Sequence, residues 1–123
     1  NNLANKIEIL DKVKREDLIS YYENASVLIV SSRDEGGPRV ALEALYLGIP
    51  VISTDVGHMP DILPKELLAN KDDIASLKEL LELYVDSIDL IDQSAIFEFI
   101  QNEFSIDERV KAITSAYEGV LNN

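Results

Sequence analysis

The segment EGGPRVALE places two glycines and a proline directly before a run of helical character. Gly36 and Gly37 let the backbone adopt conformations that other residues resist, and they let a ligand approach the main-chain N–H groups closely. Pro38 suits the first turn of a helix, so the free amides of Arg39 and Val40 point toward whatever occupies the preceding loop. A helix start of this kind favours negative charge, and we expect a phosphate to bind there.

A carboxylate lies at each end of the same segment, Glu35 in the loop and Glu43 on the predicted helix. Glu35 would repel a phosphate, so its chemistry favours accepting hydrogen bonds from hydroxyl groups. Glu43 lies on the flank of the apolar face of the helix, about 8 Å of helical rise beyond its start. Two carboxylates around a phosphate-binding turn predict a nucleotide sugar as the ligand. Two alternatives need no ligand: Glu35 as a helix cap, and Glu43 in a surface ion pair with Arg39.

Length and composition predict one soluble domain over residues 1–123. Hydrophobic residues make up 46% of the chain and charged residues 28%, which is typical of a globular protein. No run reaches the roughly 18 apolar residues that cross a bilayer. The absence of cysteine excludes disulfides and thiolate metal sites and favours a cytoplasmic location. The formal net charge of -12 argues against binding nucleic acid or an anionic membrane surface.

Alternating strands and helices are predicted along the first part of the chain, followed by a helical tail. The predicted strands are KIEIL at 6–10, SVLIV at 26–30, PVIST at 50–54 and, at a sheet edge, ELLAN at 66–70. The predicted helices span 15–24, 38–47, 72–84, 92–104 and 106–121, and a short turn is predicted at 61–64. This order predicts an α/β fold with a mostly parallel sheet and helices on both faces.

Two loops, at residues 31–37 and 55–59, directly follow predicted strands. Sheets of this kind bind ligands beyond the carboxyl ends of their strands, in the crevice where strand order reverses. Both loops are therefore candidates for a ligand site. A phosphoacceptor receiver module has a similar size and charge, but it needs an acidic pair after the first strand and a lone Asp at the end of a central strand. Asp11 follows the first run alone, and SVLIV is followed by Ser31 and Ser32. The residues therefore argue against a receiver.

Three other features are interpreted as parts of the structure and not as catalytic or metal-binding residues. His58 is the only histidine, and nothing in the sequence supplies a partner to orient its ring for acid or base catalysis. Tyr21 and Tyr22 are adjacent on a predicted helix, so one ring is expected to pack and the other to be exposed. Asp72 and Asp73 precede a predicted helix and are expected to cap it, not to bind a metal.

The segment EGGPRVALEALYLGIPVIST resembles the E-x7-E region of retaining glycosyltransferases of the GT-B fold, especially family 4, whose usual form is close to E-G-F-G-x-x-x-x-E-A-M-A-x-G-x-P-V-I-A-T. LISYYENASVLIVSSRDE resembles the family's helix, strand and Pro-Ser loop, and TDVGHMPDIL resembles its G-G-x-P-E-I-V motif. NKDDIASLKELLELY is similar to the loop and helix that follow. The resemblance covers most of residues 6–85 and implies part of a carboxyl-terminal, Rossmann-like, nucleotide-sugar-binding domain.

The resemblance also implies roles for individual residues. Glu35 would be catalytic, because it would contact the donor sugar near its ring hydroxyls and support charge development, and Glu43 would bind the hydroxyls of the nucleotide ribose. The remaining donor-binding positions would be Gly36, Gly37, Pro38, Arg39 and Val40. This sequence has Gly37 in place of the family's aromatic residue and Pro38 in place of its second glycine, which removes one amide donor. No metal or other cofactor is implied.

Whole enzymes of this kind transfer a sugar with retention from a UDP- or GDP-sugar to a glycan, lipid-linked or protein acceptor. They close two Rossmann-like domains over a cleft, and the acceptor site lies largely on the amino-terminal domain, which has no counterpart in this sequence. Because the chain also begins at Asn1 without a methionine, we predict an inactive fragment of a longer enzyme. The implied setting is polysaccharide biosynthesis at the inner face of the membrane, with no anchor in this segment. The alternative is a glycosyltransferase-like scaffold or binding subunit.

Overall fold

The computed structural model describes residues 4–87, 92–103 and 105–121. The strands in these ranges are β1 (Leu28–Val30), β2 (Val51–Thr54) and β3 (Leu68–Ala69). The α-helices are α1 (Arg15–Asn24), α2 (Arg39–Tyr46), α3 (Met59–Ile62), α4 (Ile74–Ser87), α5 (Ser94–Glu103) and α6 (Ile106–Leu121). Short 3-10 helices span Ala4–Lys6 and Lys65–Leu67. The predicted α/β fold is confirmed.

The strands form one parallel sheet in the order β1-β2-β3. Leu28 is paired with Val51, and Ser53 is paired with both Val30 and Leu68. Parallel neighbours need a crossover connection, which α2 supplies between β1 and β2. All residues of β2 are buried, as expected for a central strand, and β3 confirms the predicted edge strand. Strand order follows chain order, so no reversal of order marks a ligand site within the described sheet.

The core is built around α2, which contacts β1, β2 and α5. Ala41, Ala44 and Leu45 are fully buried on one face of this helix. The small alanine side chains let the helix approach its neighbours closely, and the leucine supplies most of the buried apolar area of that face. The other buried apolar residues of the cluster are Tyr22, Val30, Val51, Ile52, Val56, Met59, Leu63, Leu67, Tyr84 and Ile100.

The first predicted strand is wrong. Residues 7–10 have no regular structure, and the side chains of Ile7 and Ile9 are 63% and 90% exposed. An alternating pattern shows only that one face of a strand would be apolar, and a strand also needs a neighbour for its backbone groups. β1 is the edge strand nearest in sequence, and within the described residues it pairs only with β2. The turn predicted at 61–64 is instead the single-turn helix α3.

The predicted helices are confirmed with small changes at their ends. α1 and α6 have the predicted bounds, α2 lies within its predicted range, and α4 begins at Ile74 and continues to Ser87. α5 begins at Ser94, whose backbone N–H donates to Asp92 Oδ1 at 2.8 Å; hydrogen bonding to Ser94 holds the pKa of Asp92 below its usual value. Phe104, the predicted end of this helix, lies outside the described residues. No helix in the described ranges has the length and apolarity needed to cross a membrane.

Candidate functional site

Loops that leave the carboxyl ends of the strands are joined by direct contacts. Thr54, the last residue of β2, donates a hydrogen bond from its Oγ1 to the carbonyl oxygen of Ser32 at 2.6 Å. Only 5% of Thr54 is exposed, so water competes little for this bond. The bond fixes the start of the loop after β1, which carries Glu35, to the end of the neighbouring strand.

Gly57 brings the loop after β2 against the loop after β1. Its φ of +53° lies in the left-handed region, and a Cβ there would lie 2.7 Å from the carbonyl carbon and oxygen of Gly36 and 2.8 Å from the carbonyl oxygen of Glu35. Carbon atoms normally approach no closer than about 3.5 Å. This position therefore requires glycine for both its backbone conformation and the space beside it.

His58 packs its imidazole ring against Gly37, in the space that a side chain at position 37 would occupy. Its Nε2 is buried and has no hydrogen-bond partner in the part of the chain that the structure describes. A catalytic histidine is normally oriented by a hydrogen bond to its second ring nitrogen, and no such bond is present among the described residues. The ring instead fills the space beside the glycine turn, in keeping with the structural interpretation of His58.

Two exposed ion pairs connect the loop before Glu35 to the turn before α4. Arg33 Nε lies 3.7 Å from Asp72 Oδ1, and Lys71 Nζ lies 3.9 Å from Asp34 Oδ1. Exposed pairs of this length contribute at most about 1 kcal/mol each. They favour one position of the loop but do not lock it.

Only one of the two aspartates in the turn before α4 has the predicted capping role. Asp73 Oδ1 accepts a hydrogen bond from the backbone N–H of Ser76 at 3.0 Å, so Asp73 caps the helix as predicted. Asp72 does not cap it. Its φ of 61° places it in the left-handed region, where aspartate is one of the better-tolerated residues.

The predicted phosphate-binding turn lies at the start of α2. The first bond of the helix runs from the Ala41 N–H to the Pro38 carbonyl oxygen at 3.1 Å, so the N–H groups of Arg39 and Val40 stay outside the helical ladder. Pro38 is buried, whereas the side chains of Arg39 and Val40 are exposed. Glu35 and Gly36 are also exposed, and Gly37 is half-buried.

An open groove of about 740 Å³ runs between α1, α2 and α5. The first residues of α1 and α2, Arg15 and Arg39, both line it, and we call the end at Arg39, next to the glycine turn, its mouth. Tyr46, the last residue of α2, marks the other end. The complete lining is Arg15, Glu16, Leu18, Ile19, Tyr22, Arg39, Leu42, Glu43, Tyr46, Leu47 and Ile100.

Glu43 lies in the wall of this groove with its side chain 33% exposed. Its Oε2 accepts a hydrogen bond from the hydroxyl of Tyr22 at 3.0 Å. Its Oε1 lies 3.5 Å from Arg39 Nε, one helical turn away. The ion pair considered as an alternative for Glu43 is therefore present, but the carboxylate also faces open space that a ligand can enter.

Tyr22 is only 7% exposed, whereas Tyr21 is 45% exposed, as predicted for this pair. Burial raises the pKa of Tyr22 to about 12, and the hydrogen bond to Glu43 and the negative charge of Glu43 act in the same direction. Tyr22 is therefore a protonated hydrogen-bond donor at neutral pH. Because its pKa in the unfolded chain is near 10, its contribution to stability is complete below pH 10 and is lost as the pH rises toward 12.

Residues 1–91 match the family described as glycosyl transferases group 1. That match covers well over half of the chain and contains both the glycine turn and most of the groove. The chain belongs to the glycosyl transferases group 1 family. This confirms the predicted resemblance at the level of the family.

Proteins similar to this chain include two curated sequences. An uncharacterized glycosyltransferase of Methanocaldococcus jannaschii is 39% identical over 87 residues, which cover 68% of this chain and 24% of that protein. A putative teichuronic acid biosynthesis glycosyltransferase of Bacillus subtilis is 28% identical over 118 residues, which cover 91% of this chain and 30% of that protein. The chain thus spans about a quarter to a third of their length.

Among solved structures, a sucrose-phosphate synthase from Thermosynechococcus elongatus is similar to this chain with a TM-score of 0.81 and 25% sequence identity. The likeness covers 98% of this chain and 32% of the synthase chain. It extends into the helical tail, beyond residues 6–85 that the sequence resemblance covers. It also confirms the predicted α/β architecture of the GT-B type.

The structure brings two of the predicted site residues, Glu43 and Arg39, into one groove. Glu35, the glycines, Pro38 and Val40 do not line it; they lie in or beside the loop that ends at its mouth. Sequence reasoning missed the contributions of Arg15 and Tyr22. A signal was available, because residues 15, 18, 19 and 22 share one face of α1 at helical spacing.

Replacing Glu43 with glutamine is expected to lower the pKa of Tyr22 from about 12, because the substitution removes the negative charge and weakens the hydrogen bond while leaving burial in place. Tyrosinate absorbance during an alkaline titration measures this, with the curve of Tyr22→Phe subtracted to isolate Tyr22. The matched control is Glu23→Gln, an exposed acid on α1 outside the groove lining. Equal pKa values in the two variants would contradict the coupling.

Proposed function

We propose that this chain supplies the nucleotide-sugar donor site of a retaining, metal-independent glycosyltransferase. The whole enzyme would transfer a sugar from a UDP- or GDP-sugar to a glycan, lipid-linked or protein acceptor. The observation that carries the proposal is the position of Glu43, partly exposed in the wall of an open groove that is lined by two arginines and adjoins the glycine turn.

Size and charge support a nucleotide in this groove. Its volume of about 740 Å³ falls within the range of roughly 300–1,000 Å³ that is usual for small-molecule sites. Arg15 and Arg39 contribute two positive charges to the lining of the groove in a chain whose net charge is -12, which locally favours a diphosphate. The N–H groups of Arg39 and Val40 at the start of α2 make no bond within the helix, and they favour an anion beside them.

The apolar part of the groove supports the same assignment. Leu18, Ile19, Leu42 and Leu47 line it, and Tyr46 stands at its far end, so a flat, weakly polar group such as a base can be buried there. Glu43 lines the groove together with these apolar residues and with Arg39, so a ligand that joins a base to a diphosphate through a ribose would bring its ribose within reach of the carboxylate. Its carboxylate accepts hydrogen bonds from hydroxyl groups.

We assign the donor sugar itself to the loop in front of the mouth. Glu35 is exposed there, and contacts from Gly57 and Thr54 hold its loop to the end of β2. Its carboxylate would accept hydrogen bonds from ring hydroxyls and stabilise positive charge that develops on the sugar during transfer. Arg39 and the backbone from Gly36 to Val40 would face the diphosphate.

The acceptor site would lie on an amino-terminal Rossmann-like domain that this sequence does not contain, so we expect no sugar transfer by the chain alone. The relative from Bacillus subtilis is named for teichuronic acid biosynthesis, which supports a role in polysaccharide assembly. We propose that the whole enzyme works in the cytoplasm, at the inner face of the membrane.

Titrating the chain with UDP and with GDP tests this function. We expect weak, saturable calorimetric binding of one of them, and a loss of at least about tenfold in affinity in Glu43→Ala, because the removed carboxylate bonds to the ribose. Glu23→Ala, which removes an exposed acid outside the groove, is the matched control and should bind like the parent.

The other candidate functions predict different results in the same titration. A non-catalytic scaffold would bind neither nucleotide. A receiver-like module would also ignore both nucleotides but would react with a small phosphodonor such as acetyl phosphate. Saturable binding that Glu43→Ala leaves unchanged would move the nucleotide out of this groove and contradict the assignment of Glu43.

A further inference from the structure

We propose that Tyr22 is a positioning residue of the donor site: its hydroxyl holds the carboxylate of Glu43 in the orientation that accepts the hydroxyls of a ribose. The inference rests on the proposed function and adds a residue from another helix, outside the motif that carries both acids. It implies that the selectivity of the site for ribose over deoxyribose depends on the contact between α1 and α2.

The two residues come from different parts of the chain and contact each other in the lining of the groove. Tyr22 belongs to α1 and Glu43 to α2, and their hydroxyl and Oε2 atoms lie 3.0 Å apart. Tyr22 is 7% exposed and belongs to the core cluster, so its ring cannot move freely. Glu43 is the more exposed partner, with a side chain 33% accessible. The rigid residue therefore orients the more exposed one.

The carboxylate keeps acceptor capacity after this bond is formed. An ionised glutamate offers about four lone-pair positions on its two oxygens. Tyr22 uses one on Oε2, and Arg39 Nε, at 3.5 Å, approaches the other oxygen at the outer limit of a hydrogen bond. The side chain lines the groove and is 33% exposed, and the positions that remain are enough in number for the two adjacent hydroxyls of a ribose.

A purely structural role for the bond is the competing explanation, since a buried tyrosine hydroxyl needs some partner. A water molecule or a backbone carbonyl would serve that need equally well. The partner is instead Glu43, an acid that lines an open groove. If the Glu43 side chain were free, it would have to be ordered when the ligand binds, and this ordering would lower the affinity for the ligand. Removing such a pre-ordering contact is expected to weaken binding about three- to tenfold.

The test compares each ribonucleotide with its 2′-deoxy analogue. Calorimetric titrations with UDP and 2′-deoxy-UDP, and with the corresponding guanine pair, are made on the parent chain, Tyr22→Phe, Glu43→Gln and Tyr21→Phe. Tyr21 is the matched control, because it neighbours Tyr22 on α1 but is 45% exposed and does not line the groove. Thermal unfolding of each variant verifies that it is folded.

We expect the parent chain and Tyr21→Phe to prefer the ribonucleotide by at least about tenfold, and Tyr22→Phe to lose most of that preference with little change in affinity for the deoxy analogue. A structural defect would lower both affinities alike. The double variant Tyr22→Phe with Glu43→Gln should bind like Glu43→Gln alone, because the two residues act as one unit.

Failure of this inference can be told from failure of the proposed function. If the parent chain binds no nucleotide, both are wrong. If the ribose preference depends on Glu43 but is retained in Tyr22→Phe, the donor site stands and the role of Tyr22 is rejected. If Tyr22→Phe does not fold, NMR of ring-labelled tyrosines in the parent chain tests the role of Tyr22. The Tyr22 signal is assigned by replacing the other tyrosines with phenylalanine. It must respond to the ribonucleotide and not to its deoxy analogue.

Discussion

Replacing Gly57 with alanine is expected to lower the free energy of unfolding by about 2 to 5 kcal/mol. One part of this loss is conformational, because an L-residue with a Cβ is strained at a φ of +53°. The larger part is steric, since the new Cβ would lie 2.7 Å from the carbonyl group of Gly36. Those atoms belong to the backbone and cannot rotate away, so the loop that carries Glu35 must move. Urea unfolding measures the loss.

Two other glycines separate the contributions of strain and contact. Gly48 has a φ of +78°, and a Cβ added there would meet no atom within 4 Å, so Gly48→Ala should cost only the conformational part, about 1 to 2 kcal/mol. Gly36→Ala meets no atom within 4 Å and has no such φ, so its stability should change by less than about 1 kcal/mol. Equal losses in Gly57→Ala and Gly48→Ala would show that the two loops are not in firm contact.

Replacing Gln93 with alanine should lower the free energy of unfolding by about 2 to 4 kcal/mol. Gln93 is 2% exposed, and its Oε1 accepts a hydrogen bond from the backbone N–H of Val51 at 3.2 Å. Val51 is fully buried, so its N–H would lose its partner where water cannot replace it. Because Gln93 precedes α5 and Ile100 of α5 lines the groove, we also expect the substitution to weaken nucleotide binding.

Gln101 is a matched control for the second prediction. Its Nε2 donates to the carbonyl oxygen of Tyr46 at 3.1 Å, but the residue is exposed, and Gln101→Ala should change stability by no more than about 0.5 kcal/mol. Gln93→Leu keeps most of the side-chain volume, so the difference between it and Gln93→Ala isolates the cavity left by truncation. Similar unfolding curves for Gln93→Ala and Gln101→Ala would contradict a structural role for the buried amide.

Helical periodicity was sufficient to predict most of the fold. The spacing of apolar residues is a local property of each helix, so it can be recognised without information about the rest of the chain. This holds for α1, α2, α4 and α6. The apolar runs SVLIV and PVIST predict strands that are covered on both faces. β2 is buried throughout, but Ile29 of β1 is 42% exposed, so one face of β1 is not covered by the described residues. KIEIL alternates polar and apolar residues but forms no strand, since a strand needs a neighbour that its own sequence cannot supply.

The family could be predicted from the sequence alone, because Glu35, the glycine turn and Glu43 are close in the chain and form a recognisable motif. The groove that Glu43 lines and its hydrogen bond to Tyr22 could not, since these residues are 21 positions apart and lie on different helices. The same is true of the space beside Gly57, which exists because two strands place their loops side by side. Contacts between distant segments depend on the packing of the whole core, and no local pattern encodes them.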